Sequence, residues 1–156
     1  MERTFRILSF TIFNIQTKFY CIIYLNGGES LNIFEKIKLD IDIREIPTDS
    51  LAYIGDAVFN LYIKLYYFKK TSAYSLHKKS QNFINRKYQA EILNLLLPLL
   101  NEEELSYVKR GINSKGAGKY GNDPSYRKST GFEVLIGYLY LTNQERLYEL
   151  LKEVIK

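Results

Sequence analysis

The chain has 156 residues, of which 46% are hydrophobic, and a net charge of +5 at neutral pH. This length fits one globular domain with a real core and excludes an intrinsically disordered chain, while the basic surplus favours polyanionic partners. The single cysteine, Cys21, excludes an internal disulfide, and no segment has the roughly 18 uninterrupted apolar residues of a membrane span. We therefore expect a cytoplasmic protein without membrane attachment.

The first thirty residues differ in composition from the rest of the chain. They are rich in aromatic and β-branched residues, as in "RILSFTIFNI" and "KFYCIIYL", which is typical of strands. An alternative is that they precede the true start of the protein, because "GGES" can be encoded by a purine-rich tract resembling a ribosome-binding site, with translation beginning at Leu31. Both alternatives stay open, and the intact mass of the native gene product decides between them. We accordingly separate an N-terminal extension, 1–30, from a domain, 31–156.

From Leu31 onward the pattern is predominantly helical. Pro47 and the cap-forming residues after it precede a helix that is predicted to reach about Lys69. Its expected core-facing stripe, spaced three and four apart, is Leu51, Ile54, Val58, Leu61 and Leu65. A second helical zone is predicted over 74–97, where Pro98 marks a break.

Two shorter helices and a basic loop are predicted in the remainder of the domain. Asn101 and the three glutamates after it suit a helix N-terminus, and Gly111 suits its end. Residues 111–128 contain four glycines and a proline and are predicted to form a loop; residues 109–128 carry six basic side chains and one acid. Ser129 or Thr130 is expected to cap the next helix, "GFEVLIGYLYL", and Asn143 to begin the last.

Two acidic residues stand out because each lies in an otherwise apolar helix. Asp56 follows Gly55 in "LAYIGDAVFNLYI", and Glu133 precedes Gly137 in "GFEVLIGYLYL". The glycines would let the two helices approach closely and bring the acids together. An unpaired buried carboxylate costs several kcal/mol, so each acid needs a cation, a hydrogen-bond network or a metal. From spacing alone, a buried Arg or Lys partner and a shared divalent cation such as Mg²⁺ both remain open.

Several ordered segments resemble the nuclease domain of the ribonuclease III family, in particular its short bacterial branch, Mini-ribonuclease III. The segments are "LAYIGDAV", "LHKKSQNFINRKYQAEIL", "VKRGINSK", "YRKSTGFE" and the helix that follows, and the resemblance covers about 47–156. It implies an all-α ribonuclease III endonuclease fold that acts as a homodimer. Full-length members have two further acids, where this chain has Ala52 and Thr130. The short branch shares these two losses, so fewer carboxylates would hold the metal.

The resemblance also implies a function and a site. The expected activity is Mg²⁺-dependent endoribonucleolytic cleavage of double-stranded RNA, in the maturation of large-subunit (23S) ribosomal RNA precursor, with a large-subunit ribosomal protein as a candidate helper. Asp56 and Glu133 match the family's signature aspartate and later glutamate, so both are expected to be catalytic and to bind the metal. His77, the only histidine, is not assigned as a general base, because "LHKK" resembles a structural part of the family.

No double-stranded-RNA-binding module follows the nuclease segment in this sequence, so RNA affinity is expected to come from the basic residues of the domain itself. The primary candidates, in and beside the glycine-rich loop, are Asn113, Lys115, Lys119, Arg127 and Lys128. Further candidates are Lys78, Lys79, Arg86, Lys87, Lys109 and Arg110.

Two other functions compete with the nuclease. One is a non-catalytic RNA-binding ribosome-assembly protein with the same fold, which the missing acids at 52 and 130 favour. The other is a helical interaction module whose basic loop docks an acidic partner. Asp56 and Glu133 argue against both, because a scaffold gains nothing evident from two acids in apolar helices.

Overall fold

A computed structural model describes residues 41–115 and 123–155, together with the backbone of 23–24 and 30–31. In chain order the elements are β1 (Ile23–Tyr24), β2 (Ser30–Leu31), α1 (Thr48–Tyr66), α2 (Ala73–Gln81), α3 (Arg86–Leu96), a 3₁₀ turn (Leu97–Leu99), α4 (Glu102–Ile112), α5 (Pro124–Thr142) and α6 (Gln144–Val154). The domain is therefore all-α, as the sequence predicts. None of the helices in the described ranges has the length and apolar character needed to cross a bilayer.

The N-terminal extension contributes one short antiparallel pairing. Ile23 lies opposite Leu31, and Tyr24 lies opposite Ser30. The other residues with strand-like composition, and the helical pattern predicted just after Leu31, lie outside the described residues. The boundary at residue 30 and the alternative start at Leu31 stay predictions.

Helix α1 buries the start of the predicted stripe, Leu51, but exposes its end. Its buried residues are Leu51, Ala52, Gly55, Phe59 and Ile63. Leu61 and Leu65 of the predicted stripe are 45% and 55% exposed. The prediction was wrong there because the helix is apolar on most sides, so that more than one stripe satisfies a helical period. The helix also ends at Tyr66 rather than near Lys69.

The second predicted helical zone consists of two helices rather than one. α2 ends at Gln81, and Asn85 begins α3 by accepting a hydrogen bond from the backbone N–H of Tyr88 to its side chain. An asparagine oxygen is among the best acceptors for free N–H groups at a helix start, and this signal inside the zone was missed. Pro98 lies, as expected, at the end of the zone, in the 3₁₀ turn.

Helix α4 begins as predicted, and its first turn is tied to α6. The side chain of Asn101 accepts from the backbone of Glu104, whose carboxylate accepts from the backbone of Asn101 in return. Arg146 of α6 donates to the same carboxylate at 2.9 Å. Burial raises the pKa of Glu104, but the hydrogen bonds and charge of Arg146 outweigh this effect and keep the pKa below its usual value. The hydrogen bonds and the ion pair of Glu104 therefore explain why this acid can be buried.

Helix α5 is the central element of the domain, and it starts earlier than predicted. Asp123 caps it, with Pro124 in the first turn, so that 124–128 belong to the helix instead of the loop. The hydroxyls of Ser129 and Thr130 donate to the carbonyl of Tyr126 within the helix and do not cap it. α5 packs against α1, α3, α4 and α6, which explains why it is apolar nearly all round.

The crossing of α1 and α5 is the most extensive contact between helices and depends on two glycines. A Cβ placed on Gly55 would overlap the backbone carbonyl of Glu133 and lie 2.8 Å from the backbone nitrogen of Gly137. A Cβ on Gly137 would overlap the carbonyl of Leu51. Next to this crossing, the rings of Phe59 and Phe132 meet edge to face with centroids 4.8 Å apart. The helix backbones are therefore in direct contact at this point.

Replacing Gly55 with alanine should separate the two helices. Because the new methyl group meets backbone rather than a flexible side chain, we expect Gly55→Ala to lower the free energy of unfolding by about 1–3 kcal/mol or more. Urea denaturation measures the change. Lys64→Ala, an exposed substitution in the same helix, is the control and should change it by no more than about 0.5 kcal/mol. Equal stability of the two variants would contradict the close crossing.

Candidate active site

The close crossing of α1 and α5 brings the two singled-out acids together. Asp56 directly follows Gly55, whose Cα faces the backbone of Glu133. Both side chains are half-buried. Burial, and then the negative charge of Asp56, raise the pKa of Glu133 to about 7, against an ordinary value of 4.5. The two carboxylates therefore lie close enough to repel one another.

Two amide side chains contact these acids. Asn60, one turn after Asp56, donates a hydrogen bond from Nδ2 to Asp56 Oδ1 at 2.9 Å. Gln89 of α3, which is itself 1% exposed, lies close enough to Glu133 for hydrogen bonding to lower the pKa of that carboxyl. The sequence analysis missed both amides. Neither amide has a sequence signal that distinguishes it from the amides of solvated helix faces.

Arg86 of α3 is a basic residue whose charge acts on Glu133. Its positive charge lowers the pKa of Glu133, although burial and Asp56 outweigh this effect. The guanidinium of Arg86 lies over the ring of Tyr126 in α5, 4.5 Å from its centroid, and the side chain is exposed. Glu133 thus lies near an exposed cation, and among the described residues no arginine or lysine is buried with the two acids.

The other predicted RNA-binding residues fall into two groups. Arg110 and Arg127 donate hydrogen bonds to the backbone carbonyls of Ile46 and Ile112 respectively, so both have structural partners. Lys128 lies in the first turns of α5 and donates to Asn94 at 2.8 Å. The exposed members are Lys78, Lys79, Lys87, Lys109, Asn113 and Lys115. Lys119 lies outside the described residues, and His77 is exposed on α2.

The donor set of the acid pair suits a hard divalent cation. In the part of the chain that the structure describes, no cluster of three or more His, Cys, Asp or Glu side chains forms a metal cage. Mg²⁺ does not require such a cage, since it keeps several waters and is commonly held by one or two carboxylates. Burial and the charge of Asp56 together raise the pKa of Glu133 to about 7, and a bound divalent cation would relieve the repulsion between the two carboxylates.

The domain is thus an all-α fold with one acid on each of two helices that cross at glycines. The family model for the ribonuclease III domain matches residues 49–144. A solved structure of a protein from Fusobacterium nucleatum, 31% identical, superimposes with a TM-score of 0.65 over 73% of this chain and 95% of that one. The chain belongs to the ribonuclease III family.

Curated relatives identify the branch within that family. A Mini-ribonuclease 3 of Clostridium tetani is 42% identical over 73% of this chain and 80% of the relative. Mini-ribonuclease 3 proteins of Kosmotoga olearia and Enterococcus faecalis are each 38% identical over 75% and 74% of this chain, and over 83% and 92% of their own lengths. The predicted Mini-ribonuclease branch is confirmed, and with it an endoribonuclease in preference to a non-catalytic scaffold.

The raised pKa of Glu133 makes stability depend on pH. Between about pH 4.5 and 7 the folded protein retains a proton on Glu133 that the unfolded chain has released, so the free energy of unfolding should fall as pH rises through this window. We expect a fall of roughly 2 kcal/mol, allowing for partial exposure of the side chain. Urea denaturation with a chelator, at about pH 5 and about pH 8, measures it.

Two variants test whether Glu133 causes this pH dependence of stability. Glu133→Gln cannot titrate at this position and should flatten the dependence. Glu149→Gln on α6, whose side chain is 68% exposed, should leave it as in the wild-type protein. A dependence that persists in Glu133→Gln would assign it to another group.

Proposed function

We propose that this endoribonuclease cleaves double-stranded RNA in a Mg²⁺-dependent reaction at Asp56 and Glu133. The observation that carries the proposal is the convergence of these two carboxylates, from helices far apart in sequence, at a site that remains open to solvent. Membership of the ribonuclease III family supports the choice of duplex RNA as the substrate.

The side chains at the site would have different roles. Asp56 and Glu133 would hold the ion, which supplies Lewis-acid chemistry by activating water near neutral pH and stabilising charge on phosphoryl oxygens. The absence of acids at 52 and 130 does not prevent this, since Ala52 is buried in the core and Thr130 bonds within its own helix. Arg86 presents an exposed positive charge beside the acids, where it suits a phosphate of the RNA backbone.

An exposed apolar strip on α1 supports a homodimer. Tyr53, Leu61 and Leu65 lie on one face of the helix and are 76%, 45% and 55% exposed. A contiguous apolar strip of this kind is typical of a protein interface. In a two-fold dimer each of the two sites would cut one strand of the duplex. Light scattering should give the mass of a dimer in solution, and a monomer mass that persists at high concentration would contradict this part of the proposal.

The biological substrate that we propose is the large-subunit (23S) ribosomal RNA precursor, in the cytoplasm, with a large-subunit ribosomal protein as a candidate helper. Membership of the Mini-ribonuclease 3 branch supports this assignment. Incubation of the purified protein with native precursor RNA, with and without ribosomal proteins, tests it. Cleavage of generic duplex RNA but not of the precursor would contradict it.

Removal of either acid should abolish cleavage. We expect Asp56→Asn and Glu133→Gln each to lower the rate on long duplex RNA by about a hundredfold or more, because one carboxylate alone neither holds nor orients the ion. Gel electrophoresis of the products, with Mg²⁺ or with a chelator, measures the rate. Circular dichroism and RNA binding should stay close to wild type, and retained cleavage by either variant would refute the assignment.

The basic loop should hold RNA through its charge. Lys115→Ala combined with Lys119→Ala should weaken duplex binding and reduce the slope of log affinity against log salt by roughly 0.7–0.9 for each phosphate that the protein no longer neutralises. Lys64→Ala combined with Lys152→Ala removes the same charge from α1 and α6, outside the predicted RNA-binding set, and is the matched control. Identical salt slopes for the two double variants would show that the loop does not contact RNA.

A further inference from the structure

Each of the two proposed catalytic acids has one neutral amide beside it. Asn60 Nδ2 donates to Asp56 Oδ1 at 2.9 Å, within α1. Gln89 reaches Glu133 from a different helix, α3, where it lies among the apolar residues that pack against α5. Each acid therefore has the same kind of neighbour, an amide side chain, although the two amides come from unrelated positions in the chain.

Burial of Gln89 is explained by Glu133. Among the described residues the buried polar side chains are Ser80, Gln89, Glu104 and Ser129. The two serines donate to carbonyl oxygens of their own helices, and Glu104 is paired with Arg146. Gln89 instead lies beside Glu133, whose pKa it lowers. A buried amide costs free energy unless it is hydrogen-bonded, so its contact with the carboxylate is what makes a glutamine tolerable there.

Asn60 is retained at a cost to stability. In the described part of the chain its Oδ1 is the one buried side-chain oxygen or nitrogen without a hydrogen-bond partner. Rotating the amide by half a turn would not help, because it would direct Oδ1 at the Asp56 carboxylate, and two acceptors cannot bond. The unmet acceptor costs about 1–3 kcal/mol. The orientation of Asn60 is thus dictated by Asp56 and not by folding.

Neutral donors suit acids that must also bind a cation. A lysine or arginine in these positions would neutralise the carboxylates and compete with the ion for them. An amide occupies one of the roughly four lone-pair sites of a carboxylate and leaves its charge and its other sites available. Hydrogen bonds of this kind fix the rotation of a ligand, and their removal typically weakens metal binding tenfold to a hundredfold.

We propose that Asn60 and Gln89 are positioning residues, two neutral amides that hold Asp56 and Glu133 in the orientation that binds the divalent ion. The proposal rests on the proposed function, because it requires these acids to be metal ligands. It assigns the amides no contact with RNA and no part in proton transfer.

Direct metal binding tests this proposal without the reaction. Mn²⁺ is titrated into the full chain in the absence of RNA, and free Mn²⁺ is followed by electron paramagnetic resonance. Asn60→Leu and Gln89→Met keep side-chain size while removing the donors, and each should raise the Kd for Mn²⁺ about tenfold. Leu93→Met, equally buried on the same helix as Gln89, is the matched control and should leave the Kd within about twofold.

Stability and cleavage distinguish positioning from folding. The Tm of Asn60→Leu should equal or exceed that of the wild-type protein, since the substitution removes an unmet buried acceptor. In cleavage of duplex RNA both variants should need about tenfold more Mg²⁺ for half-maximal rate, with the rate largely recovered at saturating Mg²⁺. If Gln89→Met does not fold, Asn60→Leu, at a half-buried position, decides the proposal by itself.

The outcomes distinguish a failure of the positioning role from a failure of the proposed metal site. Folded variants that bind Mn²⁺ as tightly as Leu93→Met would overturn the positioning role, while loss of binding in Asp56→Asn would leave the metal site standing. A wild-type protein that binds no Mn²⁺, or an Asp56→Asn variant that binds it normally, would overturn both.

Discussion

The backbone contact between α1 and α5 is the constraint on which the rest of the structure depends. With Gly55 and Gly137 at the crossing, the helices approach until backbone touches backbone, and no other residue type leaves that space. The acid next to Gly55 is thereby placed against the helix that carries Glu133. The fold therefore holds the two carboxylates close enough to repel one another. A bound divalent cation is a common way in which proteins relieve such repulsion.

The sequence predicted the meeting of the two acids better than it predicted the helices around them. Asp56 and Glu133 were identifiable because a carboxylate in an apolar helix has few physical explanations, and the neighbouring glycines indicated how the helices could meet. The core face of α1 was not identifiable, because a helix that is apolar on most sides has several possible buried faces. Which face is buried depends on the helices that pack against it. The start of α5 was missed because Asp123 and Pro124, a favourable cap and first turn, lie inside a glycine-rich segment that otherwise indicates a loop.

The amide neighbours of the acids could not be predicted from spacing at all. Asn60 is one helical turn from Asp56, but many asparagines occupy such positions on solvated faces without consequence. Gln89 is 44 residues before Glu133 and on a different helix, so only the packing of α3 against α5 reveals their contact. Interactions of this kind depend on tertiary structure, and a side chain that is ordinary in the sequence becomes informative once its burial is known.

The helices of the domain differ greatly in how many of their residues are buried. Nine residues of α5 are buried, whereas α2 buries only Ser80. Segments with few buried contacts open at a free energy far below that of global unfolding, while the most enclosed elements open only when the whole domain does. Glu133, on α5, therefore belongs to the part of the domain that we expect to lose its structure last. Lys78 and Lys79 lie on α2, which we expect to open at a lower free energy than α5.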